Sequence, residues 1–223
     1  GLAQDRLEVG ELSMDLASYR VYRSEEEIKL GPTEFRLLRH LMEHPGRVFS
    51  REQLLDAQVS HIDAILYTHA HADHCHGIDD LRWVCHSMGQ EIPAHGDAET
   101  LERISKRFDY AFEPLDPKAD RFFYKPVLLP RPFDGPFDAA GIPVTPFRQD
   151  HGYSVSWGFR IGGFAYSTDV LDLEEAAFET LEGVDTWVVD ALQIKPHPTH
   201  AHLALALDWI ARAAPKRAVL TNM

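Results

Sequence analysis

The first part of the chain alternates between hydrophobic and polar residues, as short β-strands do. The alternation runs over residues 7–16 and continues over 19–23. A helix is then predicted to open at 32–34, with an apolar face made of Phe35, Leu37, Leu38, Leu41 and Met42. Ser50 is placed as the capping residue of a second helix, because Gln53 follows it three positions later. This part is therefore predicted to be a small α+β segment.

Beyond residue 57 the pattern changes to longer apolar segments. The predicted strands are 62–67, 141–146, a hairpin over 157–167, 185–190 and 217–222. Predicted helices start near residue 77 and run from Leu203 to Ala213. Gly162 and Gly163 provide the turn of the hairpin. The chain is thus expected to consist of two parts, 1–57 and 58–223, that meet near Ala57.

One short run carries most of the chemical information. His69-x-His71-x-Asp73-His74 follows the predicted strand 62–67, so four ligand-type side chains lie at a strand end. Neutral imidazole and carboxylate are ligands that zinc and manganese accept. A solvated histidine-rich loop is the alternative, but the density of the cluster at this position favours a metal site.

Composition and charge narrow the classes of function. The formal net charge is −13 and no stripe of Lys or Arg stands out, which argues against broad capture of nucleic acid. No apolar stretch reaches the roughly 18 residues that a membrane span needs, so no membrane partner is expected. Cys75 and Cys85 are expected to be ordinary thiols in a reducing compartment, which predicts a cytoplasmic protein.

Two further ligand-type residues follow predicted strands. His151 comes after the strand 141–146 and is expected on a turn, and Asp169 lies just beyond the hairpin. For either residue alone, a structural capping role is as good an interpretation as metal binding. Their order after the His69–His74 cluster favours ligation. The histidines expected to be structural or exposed are His61, His76, His86 and His95.

The amino-acid sequence of the first part resembles that of a known protein family. Residues 31–38, together with 43–55, resemble the DNA-binding effector domain of two-component response regulators, over about residues 7–57. In that family a basic recognition helix and a β-wing follow, and this sequence departs from the pattern after Ala57. We therefore expect a truncated winged-helix segment that does not bind DNA. Our hypothesis is that the chain is a chimera.

Residues 58–223 resemble the metallo-β-lactamase fold. Within that superfamily they are similar to phosphoribosyl 1,2-cyclic phosphate phosphodiesterase and its relatives of the tRNase Z branch. The resemblance implies an α/β fold, an αββα sandwich, here expected to be incomplete because the usual first strands and the C-terminal end are missing. It also implies two divalent ions, zinc or manganese.

The resemblance assigns roles to individual residues. His69, His71 and His151 would hold one metal, Asp73 and His74 the second, and Asp169 would bridge the two. His200 stands six residues before Ala206, where related phosphodiesterases carry a catalytic histidine. His200 and Asp73 are therefore the catalytic candidates, whereas His202 is weaker and His197 weaker still.

One departure from the family concerns Asn222, which stands where the family has a histidine that completes the second metal site. An amide oxygen is a poorer ligand for zinc or manganese than imidazole. Asn222 is therefore expected to be a weak ligand, and the second site is expected to bind metal weakly.

The implied function is hydrolysis of a small, cyclic or linear, phosphodiester by a hydroxide formed at the metals. A thioester or lactam hydrolase of the same fold is one alternative. The other is a catalytically weak chimeric regulator with DNA-binding ancestry. A homodimer is left open.

Overall fold

The computed structural model describes residues 6–9, 12–23, 26–30, 35, 38, 39, 42, 61–120 and 122–222. The chain divides into two compact units, 1–62 and 63–223. The second predicted helix and the predicted boundary near Ala57 lie outside the described residues, so both stay predictions. In the first predicted helix, the described residues Phe35, Leu38, Arg39 and Met42 are helical.

The first unit contains a four-stranded antiparallel sheet. Its strands are β1 (Arg6–Val9), β2 (Leu12–Asp15), β3 (Arg20–Arg23) and β4 (Glu26–Ile28), in that spatial order. Met14 and Val21 face each other in register and form a small core with Phe35 and Met42. The predicted alternation is confirmed for β1 to β3. Strand β4 was not predicted, since it contains one apolar residue, Ile28.

The second unit contains two sheets and six α-helices among its described residues. A parallel three-stranded sheet consists of β5 (Ile65–Leu66), β6 (Ile92–Gly96) and β7 (Leu128–Pro132). A six-stranded sheet has the order β13-β12-β11-β10-β9-β8, with strands β8 (Phe137–Ala139), β9 (Ile142–Asp150), β10 (Val155–Ile161), β11 (Phe164–Ser167), β12 (Thr186–Asp190) and β13 (Arg217–Thr221). The predicted hairpin is confirmed, because Ile161 pairs with Phe164 across Gly162 and Gly163.

The helices cover the outer faces of these sheets. They are α1 (Ala72–Cys75), α2 (Leu81–Met88), α3 (Ala98–Arg107), α4 (Asp109–Phe112), α5 (Glu175–Leu181) and α6 (Leu203–Ala213). Phe178 of α5 and Trp209 of α6 pack on Trp187 and other buried residues of the six-stranded sheet. Leu66 packs with Val144 and Phe159, so apolar side chains of the two sheets meet. Helix α3 contacts β6 and β7. The architecture is the expected αββα sandwich.

Trp187 is the largest fully buried side chain of the six-stranded sheet, and its Nε1–H donates to Ser167 Oγ over 3.0 Å. We expect Trp187→Ala to lower the free energy of unfolding by about 3–5 kcal/mol, because it leaves a cavity and an unpaired hydroxyl. Val219→Ala is the control, since Val219 is 43% exposed on the edge strand β13. Chemical denaturation measures both variants, and equal losses would contradict the assignment of the core.

The local structure around residues 69–80 differs from the prediction. Strand β5 has only two residues, so the polar run begins after a short strand. The helix predicted to start at 77–81 begins as a 3-10 helix, His76–Asp80, that leads into helix α2 at Leu81, but helix α1 at Ala72–Cys75 was not predicted. A four-residue helix that contains three polar or thiol side chains has no apolar periodicity, so pattern analysis could not find it.

Candidate metal centre

The loop that carries His69 and His71 is fixed by backbone hydrogen bonds to both sheets. Tyr67 N–H donates to His95 C=O of β6 over 2.8 Å, and Trp157 N–H of β10 donates to Thr68 C=O over 2.9 Å. The guanidinium of Arg107 at the end of helix α3 donates to Ala70 C=O. The two imidazoles therefore project from a loop that is bonded on three sides.

Asp73 and His74 lie on helix α1, directly after that loop. The thiol of Cys75 donates to His71 C=O over 3.0 Å, which holds this helix against the loop. Asp73 has a side chain that is 77% exposed, whereas His74 is half-buried. One short helix therefore supplies both of these candidate ligands.

Parallel strand pairing places three more polar side chains at one edge of the six-stranded sheet. Ser167 of β11 pairs with Val189 of β12, and Asp190 pairs with Thr221 of β13. Asn222 follows β13 directly and Asp169 lies two residues after the end of β11, so both lie near Asp190 at the carboxyl ends of the strands. Asp169 has φ 50 and Asn222 has φ 64, a left-handed conformation that Asp and Asn tolerate better than most residues.

His151 follows the antiparallel strand β9 on a turn, as predicted. Gly152 has φ 74, and a Cβ built there would lie 2.6 Å from Pro198 C=O. The turn after His151 can therefore touch the loop 196–200 only because residue 152 is glycine.

These elements bring the predicted ligands together in two groups that share one residue. His69, His71, His151 and Asp169 form the first group, and Asp73, His74 and Asp169 form the second. Within each group, one ligand-type atom from every residue lies within 4.8 Å of the others. Asp169 Oδ2 lies 3.6 Å from Nε2 of both His69 and His151, and Asp169 Oδ1 lies 3.2 Å from His74 Nε2.

Neighbouring groups hold the Nδ1 atoms of two of these histidines and fix the tautomer of His151. His151 Nδ1–H donates to Thr199 C=O over 2.6 Å, so its Nε2 carries the lone pair that faces the centre. His69 Nδ1 lies 3.0 Å from Thr68 Oγ1. His69 Nε2 is buried and has no hydrogen-bond partner among the described residues. A buried nitrogen that has no hydrogen-bond partner and faces other ligand atoms suits a divalent cation. Without a cation, leaving this nitrogen unpaired lowers the stability of the fold.

The electrostatics of the first ligand group also suit a cation, whereas in the second group burial acts to lower the pKa of His74, but the hydrogen bond with Asp169 and the charge of that carboxylate outweigh it and raise this pKa. Burial, followed by the nearby His74, lowers the pKa of His69 to about 3, so this imidazole is neutral near pH 7. Burial likewise lowers the pKa of His151. Burial acts to raise the pKa of Asp169, but hydrogen bonds from His74 and Thr168 outweigh it and keep the carboxylate ionised. Neutral imidazoles and an ionised carboxylate are the forms that bind metal.

His200 faces the centre from the loop before helix α6. Its Nδ1 lies 2.8 Å from Asp190 Oδ2, and its Nε2 lies 3.8 Å from Asp169 Oδ2. Asp190 is fully buried and also accepts a hydrogen bond from Val170 N–H over 3.1 Å. Sequence analysis missed Asp190, although a carboxylate at the end of the predicted strand 185–190 was a possible signal.

Asn222 faces the centre with the nitrogen of its side-chain amide. Its Nδ2 donates towards Asp190 Oδ1, Asp169 Oδ1 and Thr168 Oγ1 over 3.0, 3.1 and 3.3 Å. The expected weak ligand would present an amide oxygen instead, so the described arrangement differs from that expectation.

The remaining histidines lie outside the two groups. His95 is buried and stacks on Phe137 with ring centroids 4.7 Å apart, while His76 and His86 are exposed. His202 occupies the N-cap position of helix α6 without a side-chain capping hydrogen bond, and His197 contacts the ring of His200. A cavity of about 230 Å³ opens beside His69 and His71 and is lined further by Thr100, Arg103, Tyr153 and Trp157. It offers room for part of a substrate next to the centre.

Comparison with known proteins settles the family. The model of the β-lactamase superfamily domain matches residues 41–223. The chain belongs to this superfamily. The match begins before residue 57, so it does not mark the predicted boundary.

The chain covers only part of the length of each relative of the superfamily domain. An octanoyltransferase of Porphyromonas gingivalis is 32% identical over 178 residues, which are 78% of this chain and 34% of that protein. The crystal structure of a diphosphatase from the PhnP family has a TM-score of 0.67 and 30% identity, covering 77% of this chain and 64% of its own. The chain thus spans about a third of the first relative and under two thirds of the second.

A different relative matches a short segment. The phosphate regulon transcriptional regulatory protein PhoB of Rhizobium meliloti is 54% identical over 55 residues, which are 25% of this chain and 24% of that protein. The resemblance to a response-regulator effector domain is confirmed for a piece of that length. Within the described residues, no helix has the length and apolar character needed to cross a membrane.

Proposed function

We propose that the protein is a metal-dependent phosphodiesterase that uses the two ligand groups around Asp169. The observation that carries this proposal is the shared carboxylate, which joins a three-histidine group to an aspartate–histidine group. The diphosphatase relative supports a substrate that contains phosphorus, in preference to a thioester or a lactam. His69, His71, His151 and Asp169 would hold one divalent ion, and Asp73, His74 and Asp169 a second.

Bound divalent ions would supply an acidified water and neutralise charge that builds on the phosphoryl oxygens. The chain's own residues prepare the centre for this chemistry. Thr68 and Thr199 hold His69 and His151 by their Nδ1 atoms, so that Nε2 of each faces inward. The cavity beside His69 and His71 can take one substituent of the diester.

His200 is placed to serve the departing oxygen. Its Nδ1–H donates to Asp190, which leaves Nε2 directed at the centre. The Asp190 carboxylate fixes the orientation of the imidazole, and Nε2 is the atom that would give a proton to the leaving group. Asp73 has a largely exposed side chain. We assign it two roles, as a ligand of the second ion and as a catalytic residue.

We expect the protein, stripped with a chelator and reloaded with zinc or manganese, to release nitrophenol from bis(p-nitrophenyl) phosphate. A thioester and a chromogenic lactam are the parallel substrates, since they require the same metals but different substrate contacts. Release should stop when chelator is added, because neither ligand group can then supply an activated water. Faster turnover of the thioester or the lactam would overturn the assignment to phosphodiesters.

A further inference from the structure

The two oxygens of the Asp169 carboxylate have different surroundings. Oδ2 lies 3.6 Å from Nε2 of His69 and of His151, which is too long for a hydrogen bond. Among the described residues, Oδ2 accepts no hydrogen bond. Oδ1 instead receives Thr168 Oγ1–H at 2.8 Å and Asn222 Nδ2–H at 3.1 Å, with His74 Nε2 at 3.2 Å. Oδ2 therefore faces the Nε2 atoms of three histidines at 3.6–3.8 Å, whereas Oδ1 already accepts hydrogen bonds from the protein.

The orientation of the Asn222 amide follows from its acceptors. The atom that faces Asp169 and Asp190 lies 3.1 Å from Asp169 Oδ1, 3.0 Å from Asp190 Oδ1 and 3.3 Å from Thr168 Oγ1, whose own hydroxyl donates to Asp169 Oδ1. An amide oxygen in that position would face three other oxygens, so the NH2 group occupies it. Asn222 thus links the two carboxylates as a hydrogen-bond donor.

A cation entering each group meets a different cost. At Oδ2 it displaces no hydrogen bond to the carboxylate and gives the orphaned His69 Nε2 a partner, at the cost of the 3.3 Å contact between His151 Nε2 and His71 Nδ1. At Oδ1 it competes with the hydrogen bonds from Thr168 and Asn222, and it also requires Asp73, whose side chain is 77% exposed, to be held in place. A cation in the first group therefore replaces no hydrogen bond to Asp169. In the second group, hydrogen bonds from the protein already occupy the carboxylate oxygen that the cation would need.

We propose that Asn222 competes with the second divalent ion instead of binding it, so that the centre fills in order, first at Oδ2 and then at Oδ1. The proposal rests on the proposed metal-dependent function and deepens it by naming the residue that limits the second ion. It differs in sign from the expectation of a weak ligand. Removal of a ligand weakens binding, whereas removal of a competitor strengthens it.

Asn222→Gly is the decisive variant. Asn222 has φ 64, which glycine adopts without strain, so the change removes the amide and leaves the backbone as it is. Thr168→Val is the second variant, because it removes a second donor to Asp169 Oδ1 and leaves the candidate ligand His74 in place. Isothermal titration calorimetry with Zn²⁺ alone, on protein stripped by chelator, gives stoichiometry and affinity without any substrate, and elemental analysis checks the ion content.

We expect one tight ion in the wild-type protein and a second that binds at least about tenfold more weakly, from the loss of one charge-assisted hydrogen bond. In Asn222→Gly, the dissociation constant of the second ion should fall by about tenfold, and in Thr168→Val it should fall in the same direction. Unchanged affinity for the first ion shows that each variant is folded.

Two results would overturn the inference while leaving the proposed function in place: two equally tight ions in the wild-type protein, or weaker or unchanged second-ion binding in Asn222→Gly. A wild-type protein that binds no ion would overturn the proposed function itself. The stoichiometry of the wild-type protein therefore distinguishes the two failures.

Discussion

Replacing Asp169 by asparagine is expected to abolish both ion binding and phosphodiester hydrolysis. Asp169 is the one residue that the two ligand groups share, so the change removes a charge from both. Asparagine keeps the size of the side chain and tolerates φ 50, which limits the damage to the backbone. Because bound metal contributes several kcal/mol to such a reaction, the rate should fall by about a thousandfold or more. Elemental analysis and the bis(p-nitrophenyl) phosphate assay measure the two effects.

Asp172→Asn is the matched control for that variant. Asp172 is exposed three residues further along, and its Oδ1 accepts a hydrogen bond from the N–H of its neighbour Leu173. It should keep its ions and its rate. If Asp169→Asn also kept them, the shared-carboxylate interpretation would fail.

Replacing His200 by glutamine is expected to lower kcat by about 10²–10⁴-fold while leaving the ion content unchanged, the range typical of a lost general acid. His200 belongs to neither ligand group, although its Nε2 faces Asp169. His202→Gln is the control, because the His202 side chain makes no hydrogen bond among the described residues. A His200→Gln protein that lost an ion would identify His200 as a ligand.

The leaving group gives this prediction a second readout. Nitrophenolate departs readily without a proton, whereas phenolate benefits more from one. The loss in His200→Gln should therefore be larger on diphenyl phosphate than on bis(p-nitrophenyl) phosphate. Asp190→Asn should reproduce that bias to a smaller extent, since Asp190 acts by positioning and stabilising His200. Equal losses on both substrates would point to a structural role.

The first cluster of candidate ligands could be recognised from sequence because it is local. His69, His71, Asp73 and His74 lie within six residues of one another, a density that favours a metal site over a solvated loop. Asp169 could be placed because the Gly162-Gly163 hairpin fixed where its strand ended. The αββα architecture followed from the family resemblance, and the superfamily match confirms it.

The contacts that tune the centre could not be predicted. Asp190 looks like the last residue of an apolar strand, and only the parallel register of β11, β12 and β13 brings it beside His200 and Asn222. The carbonyl of Thr199 holds His151, but a backbone group has no sequence signal. The direction of the Asn222 amide depends on two acceptors that are far away in sequence. Such features require coordinates because they arise from tertiary packing.

At Gly152, two loops that carry histidines approach so closely that only a hydrogen atom fits between them as the side chain. Any larger group at residue 152 would press on Pro198 C=O and push the segment 196–200 outward. Thr199 and His200 lie on that segment, so a single steric clash would release the anchor of one imidazole and misalign the proton donor at once. A substitution at Gly152 would thus have the same effect as losing both the anchor of His151 and the proton donor His200, although glycine itself contributes no chemical group to the centre.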